Sequence, residues 1–190
     1  MMTRRARVAV AIAALSLLAL FALPLWRVDL KAPQYPEGLG LRIWINQVRG
    51  ATPNGLNSIN GLNHYIGMKE IRPDAIPELR YMPVIVVLLA AAGLGVALWG
   101  RRRAMQAYAA TLLVVAVAGL VDFWKWEYDY GHDLDPTAAI RIPGMSYQPP
   151  LIGGKQLLNF HASSWPAAGG WIAIGAAALI LAVAWKSGER

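Results

Sequence analysis

The chain has 190 residues, 56% of them hydrophobic and 15% charged, with 18 Lys and Arg against 11 Asp and Glu, a formal net charge of +7 and no cysteine. The lack of thiols excludes disulfides, covalently attached c-type haem, iron–sulfur clusters and thiolate metal centres. So basic a chain would ordinarily suggest nucleic-acid binding, but its cations crowd beside apolar stretches, so the charge reports membrane topology and no nucleic-acid partner is expected.

Four apolar stretches, at about 8–26, 83–99, 104–124 and 167–185, each approach the roughly 20 residues that a helix needs to cross a ~30 Å hydrocarbon core. The first follows Arg4, Arg5 and Arg7. It is long for the apolar part of a signal peptide and no small-x-small cleavage site follows, so it is expected to stay as a span. The link Arg101, Arg102 and Arg103 and the tail with Lys186 and Arg190 are basic as well. Positive charge on short connections marks the cytoplasmic side, which puts both termini inside and the long connections 27–81 and 125–166 outside. The predicted fold is an all-α membrane protein: one integral domain over 1–190, a four-transmembrane-helix bundle in the cytoplasmic membrane, with a small mixed periplasmic cap formed by the two long outer loops.

No Asp, Glu, Lys, Arg or His occupies the middle of a predicted span, which argues against transport. The three histidines all fall in outer loops, so a haem ligated between spans has no ligands. Small residues such as Gly93 and Ala97 suit close helix packing in lipid.

In the first outer loop, a turn-rich piece from Ala32 to Gly38 precedes Leu41, Ile43 and Ile45, which alternate with Arg42, Trp44 and Asn46 as in a short strand with one apolar face. A helix is predicted within Leu56 to Lys69, with Asn57 or Ser58 available as its cap and Ile59, Leu62 and Ile66 on one face. If it continues through Gly67, His64 and Met68 project on one side. Pro73 to Glu78 reads as a short capped helix. The second loop opens with alternating aromatic and acidic residues from Phe123 to Asp135, predicted to anchor its rings at the interface and keep its carboxylates wet. Ile140 to Pro150 is Pro-rich and extended, and Lys155 to His161 is a short amphipathic stretch.

Imidazoles and thioethers outside the cytoplasm, with no thiol to be oxidised, form the donor set that suits copper. The candidate ligands are His64, Met68, His132, Met145 and His161, with Glu37 and Asp129 placed to orient imidazoles. No catalytic constellation stands out: Ser163 and Ser164 near His161 lack a nucleophile elbow, and no phosphate loop or zinc-protease helix is present. A His132–Asp129 acid–base pair acting on a lipid is the weakest alternative.

Four segments carry a resemblance: Ala32 to Leu39, Ile59 to Lys69, Trp126 to His132, and Pro143 to Met145 with Tyr147 to Pro150. They resemble a family of small four-span bacterial membrane proteins associated with nitrous oxide reductase loci, beside the copper accessory lipoprotein of that system. The resemblance implies an accessory role in copper handling or maturation of a periplasmic copper enzyme, with copper as cofactor. The implied partners are membrane lipid and a periplasmic copper-carrying lipoprotein or copper enzyme. The alternative is a non-catalytic anchor or scaffold subunit of a respiratory or periplasmic complex.

Overall fold

The computed structural model describes residues 1–157 and 159–188. Leu158, within the predicted amphipathic stretch, and Arg190, in the predicted basic tail, lie outside the described residues. In chain order the elements are α1 (Arg4–Ser16), β1 (Trp26–Ala32), β2 (Tyr35–Ile43), β3 (Val48–Gly50), α2 (Gly55–Ile66), α3 (Glu78–Trp99), α4 (Arg102–His132), β4 (Gly153–Leu157), β5 (Phe160–Pro166) and α5 (Ala168–Gly188). Short 3-10 turns follow α1 at Leu17–Phe21 and precede α3 at Pro73–Ala75.

The expected all-α four-span bundle is not what forms. The chain is mixed α/β, with a five-stranded antiparallel sheet of order β3-β2-β1-β5-β4. Among the described residues, three helices, α3, α4 and α5, are long and apolar enough to cross a membrane. The first apolar stretch falls outside that set, because its α-helix stops at Ser16 and Trp26 already belongs to β1. Leu17–Phe21 continues as a 3-10 turn, and Pro24 keeps helix from resuming before β1: it donates no backbone hydrogen bond and disfavours helix at the residue before it. Trp26 is then claimed by antiparallel pairing with Ile43 on one side and Pro166 on the other.

The N-terminal segment is stitched to the turn between α3 and α4. Gly100 closes α3 in the left-handed conformation with φ 66°, and its carbonyl accepts from the Met2 amide at 2.8 Å. The Arg7 guanidinium donates to the last carbonyls of α3, at Ala97 and Leu98, where the helix dipole favours a cation. Farther along, a Cβ at Gly93 would meet Ala14 and the Tyr108 hydroxyl, so the expected small-residue contact is used by α1 and α4 at once. Val10, Leu17, Met105 and Ile180 are buried in the core of this helical part.

The sheet draws strands from both long connections, since β1 pairs with β2 and with β5. The two connections therefore meet at one end of the helices. One face of the sheet is apolar: Trp26, Val28, Leu39, Leu41 and Val48 form a core with Ile59 of α2. Phe123, Trp126 and Tyr130 of α4 pack on the same core. At about 1.5 Å per residue α4 is some 45 Å long, more than a hydrocarbon core needs. Its apolar run ends near Trp124, and Lys125 to His132 continue beyond that run beside the sheet. The predicted interfacial stretch is thus a helix, because Phe123, Trp126 and Tyr130 recur at helical spacing against a surface that buries them.

Candidate functional site

The end of α2 and the loop after α4 enclose a groove. Gly67 terminates α2 with φ 79°, a conformation in which only glycine is free of strain. Its carbonyl accepts from the Asp135 amide at 2.8 Å, and the Tyr65 carbonyl accepts from the Ile140 amide at 2.9 Å. The Tyr147 amide donates to Gly131 near the end of α4, also at 2.9 Å. These three backbone bonds hold residues 135–147 against two helices. The groove is open to solvent, holds about 520 Å³ and is lined by Ile66, Leu134, Ile140, Ile142, Met145 and Tyr147, with Asp135 among them.

Charge fixes the rim. Lys69 pairs with Asp133 at 2.5 Å, and that hydrogen bond raises the ammonium pKa. The Asp135 carboxylate accepts from both the amide and the hydroxyl of Thr137, at 2.7 and 2.6 Å, which holds its pKa below the usual carboxylate value.

The five candidate ligands are not gathered into one cluster. His64 is exposed on α2, edge-on to Tyr65 with ring centroids 6.0 Å apart. Met68 lies beyond the end of α2, so the expected His64–Met68 helical pair does not form; Gly67 turns the chain instead. Met145 lines the groove that Ile66 also borders. His64 and Met68 lie in the chain on either side of Gly67, at the end of α2 that borders this groove, and neither lines it. His132 turns back on its own helix, its Nδ1 donating to the Tyr128 carbonyl at 3.0 Å and its ring stacked on Tyr128 at 4.0 Å. The expected orienting role of Asp129 toward His132 is taken by that carbonyl. His161 sits on β5 between Lys31 and Gln156, on the face turned away from the apolar core. Its ring lies over Gly154, where a Cβ would come within 3.0 Å. The predicted amphipathic stretch around it is the β4–β5 hairpin. Glu37 lies at the far hairpin, beside a shallow depression that includes Lys31. Among the described residues, no three His, Asp or Glu side chains are grouped as a metal site requires.

Two groups that the sequence reading passed over are buried without partners. Glu127 is 1% exposed and neither carboxylate oxygen has a hydrogen-bond partner among the described residues. Burial pushes its pKa up to about 8, so the side chain is neutral at pH 7. The Tyr147 hydroxyl is buried and unpartnered in the same way. Glu127 is one turn before Gly131, which Gln148 approaches so closely that no side chain fits. The expectation of wet carboxylates along Phe123 to Asp135 therefore fails at Glu127, on the side of α4 that the 147–148 segment covers. The missed signal was the combination of Glu127 and Gly131 four apart, a pattern that makes sense only once the segment is helical.

The chain matches no protein-family model, and no curated protein matches it.

Proposed function

We propose that the chain is a non-catalytic accessory membrane protein that presents its sheet and groove outside the cytoplasm to dock a partner. The proposed partner is a copper-carrying lipoprotein or a periplasmic copper enzyme of the nitrous oxide reductase type. The termini and Arg101 to Arg103 are assigned to the cytoplasmic side by their charge, in the cytoplasmic membrane of a bacterium. The sequence resemblance supplies the partner class. The groove supplies the support from geometry: Ile140 and Ile142 are 48% and 42% exposed at its edge, while backbone bonds at Asp135, Ile140 and Tyr147 hold the loop in place. Apolar side chains fixed in an exposed position, rimmed by Lys69, Asp133 and Asp135, have the composition of a docking surface. Capture of the copper-carrying lipoprotein from membranes by the tagged full-length chain tests this. Ile140→Asp with Ile142→Asp is expected to abolish capture without changing the helical content, and unchanged capture would count against the groove.

A second reading draws on one observation: Met145 lines the groove, and His64 and Met68 flank Gly67 at the end of α2 beside it. Two thioethers and an imidazole suit Cu(I), which the groove could take from the docked carrier. Competition titration with a Cu(I) chelator tests it: Met145→Leu, which preserves volume, is expected to weaken binding. Unchanged affinity and stoichiometry would remove the copper site and leave the docking reading standing.

A further inference from the structure

The outer face of the sheet carries a row of arginines in direct cross-strand register. Arg49 of β3 pairs with Arg42 of β2, Arg42 pairs with Arg27 of β1, and Arg27 pairs with Trp165 of β5. Like charges placed opposite one another destabilise a sheet, so such a row needs a source of negative charge. One carboxylate is present. Asp29 accepts from Arg42 at 2.6 Å, and Gly40 leaves the room, since a Cβ there would come within 2.7 Å of that carboxylate. Arg27 and Arg49, on either side, are exposed and have no ion-pair partner among the described residues. Lys31 adds another exposed cation to the same face.

The row is placed at a specific height. Trp26, Ile43 and Pro166 form the register immediately below it, and there the chain leaves the sheet for the helices: the Leu25 amide donates to Ile43, and the Ala167 amide donates to Leu25. The arginines therefore stand one strand residue, about 3.4 Å, above the last row of the sheet. Headgroups occupy roughly 5 to 7 Å on each side of the hydrocarbon. Trp165 in the row and Trp171 in the first turn of α5 are 40% and 57% exposed, and tryptophan settles at this level of a bilayer.

We infer that the Arg27–Arg42–Arg49 row binds the headgroup phosphate of an anionic phospholipid in the outer leaflet and so fixes how the sheet stands on the membrane. Guanidinium groups match phosphate oxygens in geometry as well as charge, and Trp165 supplies the apolar neighbour that a glycerol backbone meets. The inference depends on the helices crossing a bilayer and is independent of the docking partner.

Quenching by brominated lipids tests it in purified full-length protein held in detergent micelles. The Trp165 component is the difference between the wild type and Trp165→Phe. Brominated phosphatidylglycerol is expected to quench that component at roughly tenfold lower concentration than brominated phosphatidylcholine, since each basic side chain near an anionic surface favours binding several-fold. In Arg27→Gln with Arg49→Gln, which leaves the Arg42–Asp29 pair in place, the two curves should coincide. Equal curves in the wild type, or a preference that survives in the double variant, would overturn the inference. Sodium phosphate at constant ionic strength is the third arm: if it displaces the lipid, the row is a free-anion site and the headgroup assignment fails.

Discussion

The indole nitrogen of Trp26 donates to the Ser164 hydroxyl at 2.7 Å, joining the first strand of the sheet to the last across 138 positions of sequence. Both residues are buried, and the Ser164 hydroxyl donates onward to the Leu151 carbonyl at 3.1 Å. By sequence Ser164 stands out only as a serine near His161 that lacks a nucleophile elbow. Its role in the structure is to connect β1, β5 and the loop before β4.

Ser164→Ala should leave the Trp26 indole N–H and the Leu151 carbonyl without this partner, at a cost of about 1–3 kcal/mol. Thermal unfolding in micelles, followed by near-ultraviolet circular dichroism, should show a lower midpoint with α-helical signal retained below it. A midpoint equal to that of the wild type would mean that the bond carries no stability.

Glu127 should make stability depend on pH in one direction. Its folded pKa of about 8 lies above that of an unfolded glutamate near 4.5. The folded state then holds a proton that the unfolded state releases, so stability is full below pH 4.5 and is lost progressively as pH rises to about 8. Glu127→Gln keeps the size and removes the titration. The difference in unfolding midpoint between wild type and variant should widen from pH 5 to pH 8 and level off above that. Parallel profiles across this range would contradict a buried, neutral carboxyl.

Gly67→Ala places a Cβ in a left-handed conformation and within 2.9 Å of the Asp135 carbonyl. A cost of about 1–2 kcal/mol follows from the backbone alone. The carbonyl contact should also displace the loop from α2, so amide exchange at Asp135 and Ile140, both hydrogen-bonded to the end of α2, should quicken. Unchanged exchange there would separate the helix cap from the groove.

The helical part was legible where apolar runs are long and end in glycine or charge: α3, α4 and α5 each cover a predicted span. The first stretch reads as a span because hydropathy does not distinguish Leu17 to Trp26 in a helix from the same residues turning at Pro24 into a strand. The alternation of Leu41, Arg42 and Ile43 was visible and falls in β2, with Leu41 in the core and Arg42 on the outer face. The other four strands of the sheet were not visible, because β3 is short, β4 begins with Gly153 and Gly154, β1 follows directly on an apolar run and β5 runs into one. The residues at the site were hidden for a different reason. Their proximity comes from pairing between segments more than 60 residues apart, as between Gly67 and Asp135, and no local pattern encodes that. Treating Phe123 to Asp135 as a period of two also concealed the face that buries Glu127.

The most direct measurement is labelling of single-cysteine variants with a membrane-impermeant maleimide in intact cells, for which the cysteine-free chain is a ready background. Ile142→Cys should label from outside, Arg102→Cys only after permeabilisation, and co-expression of the copper-carrying lipoprotein should protect Ile142→Cys. Labelling of Ile142→Cys only after permeabilisation would place the groove in the cytoplasm, and accessible but unprotected labelling would leave it without the proposed partner.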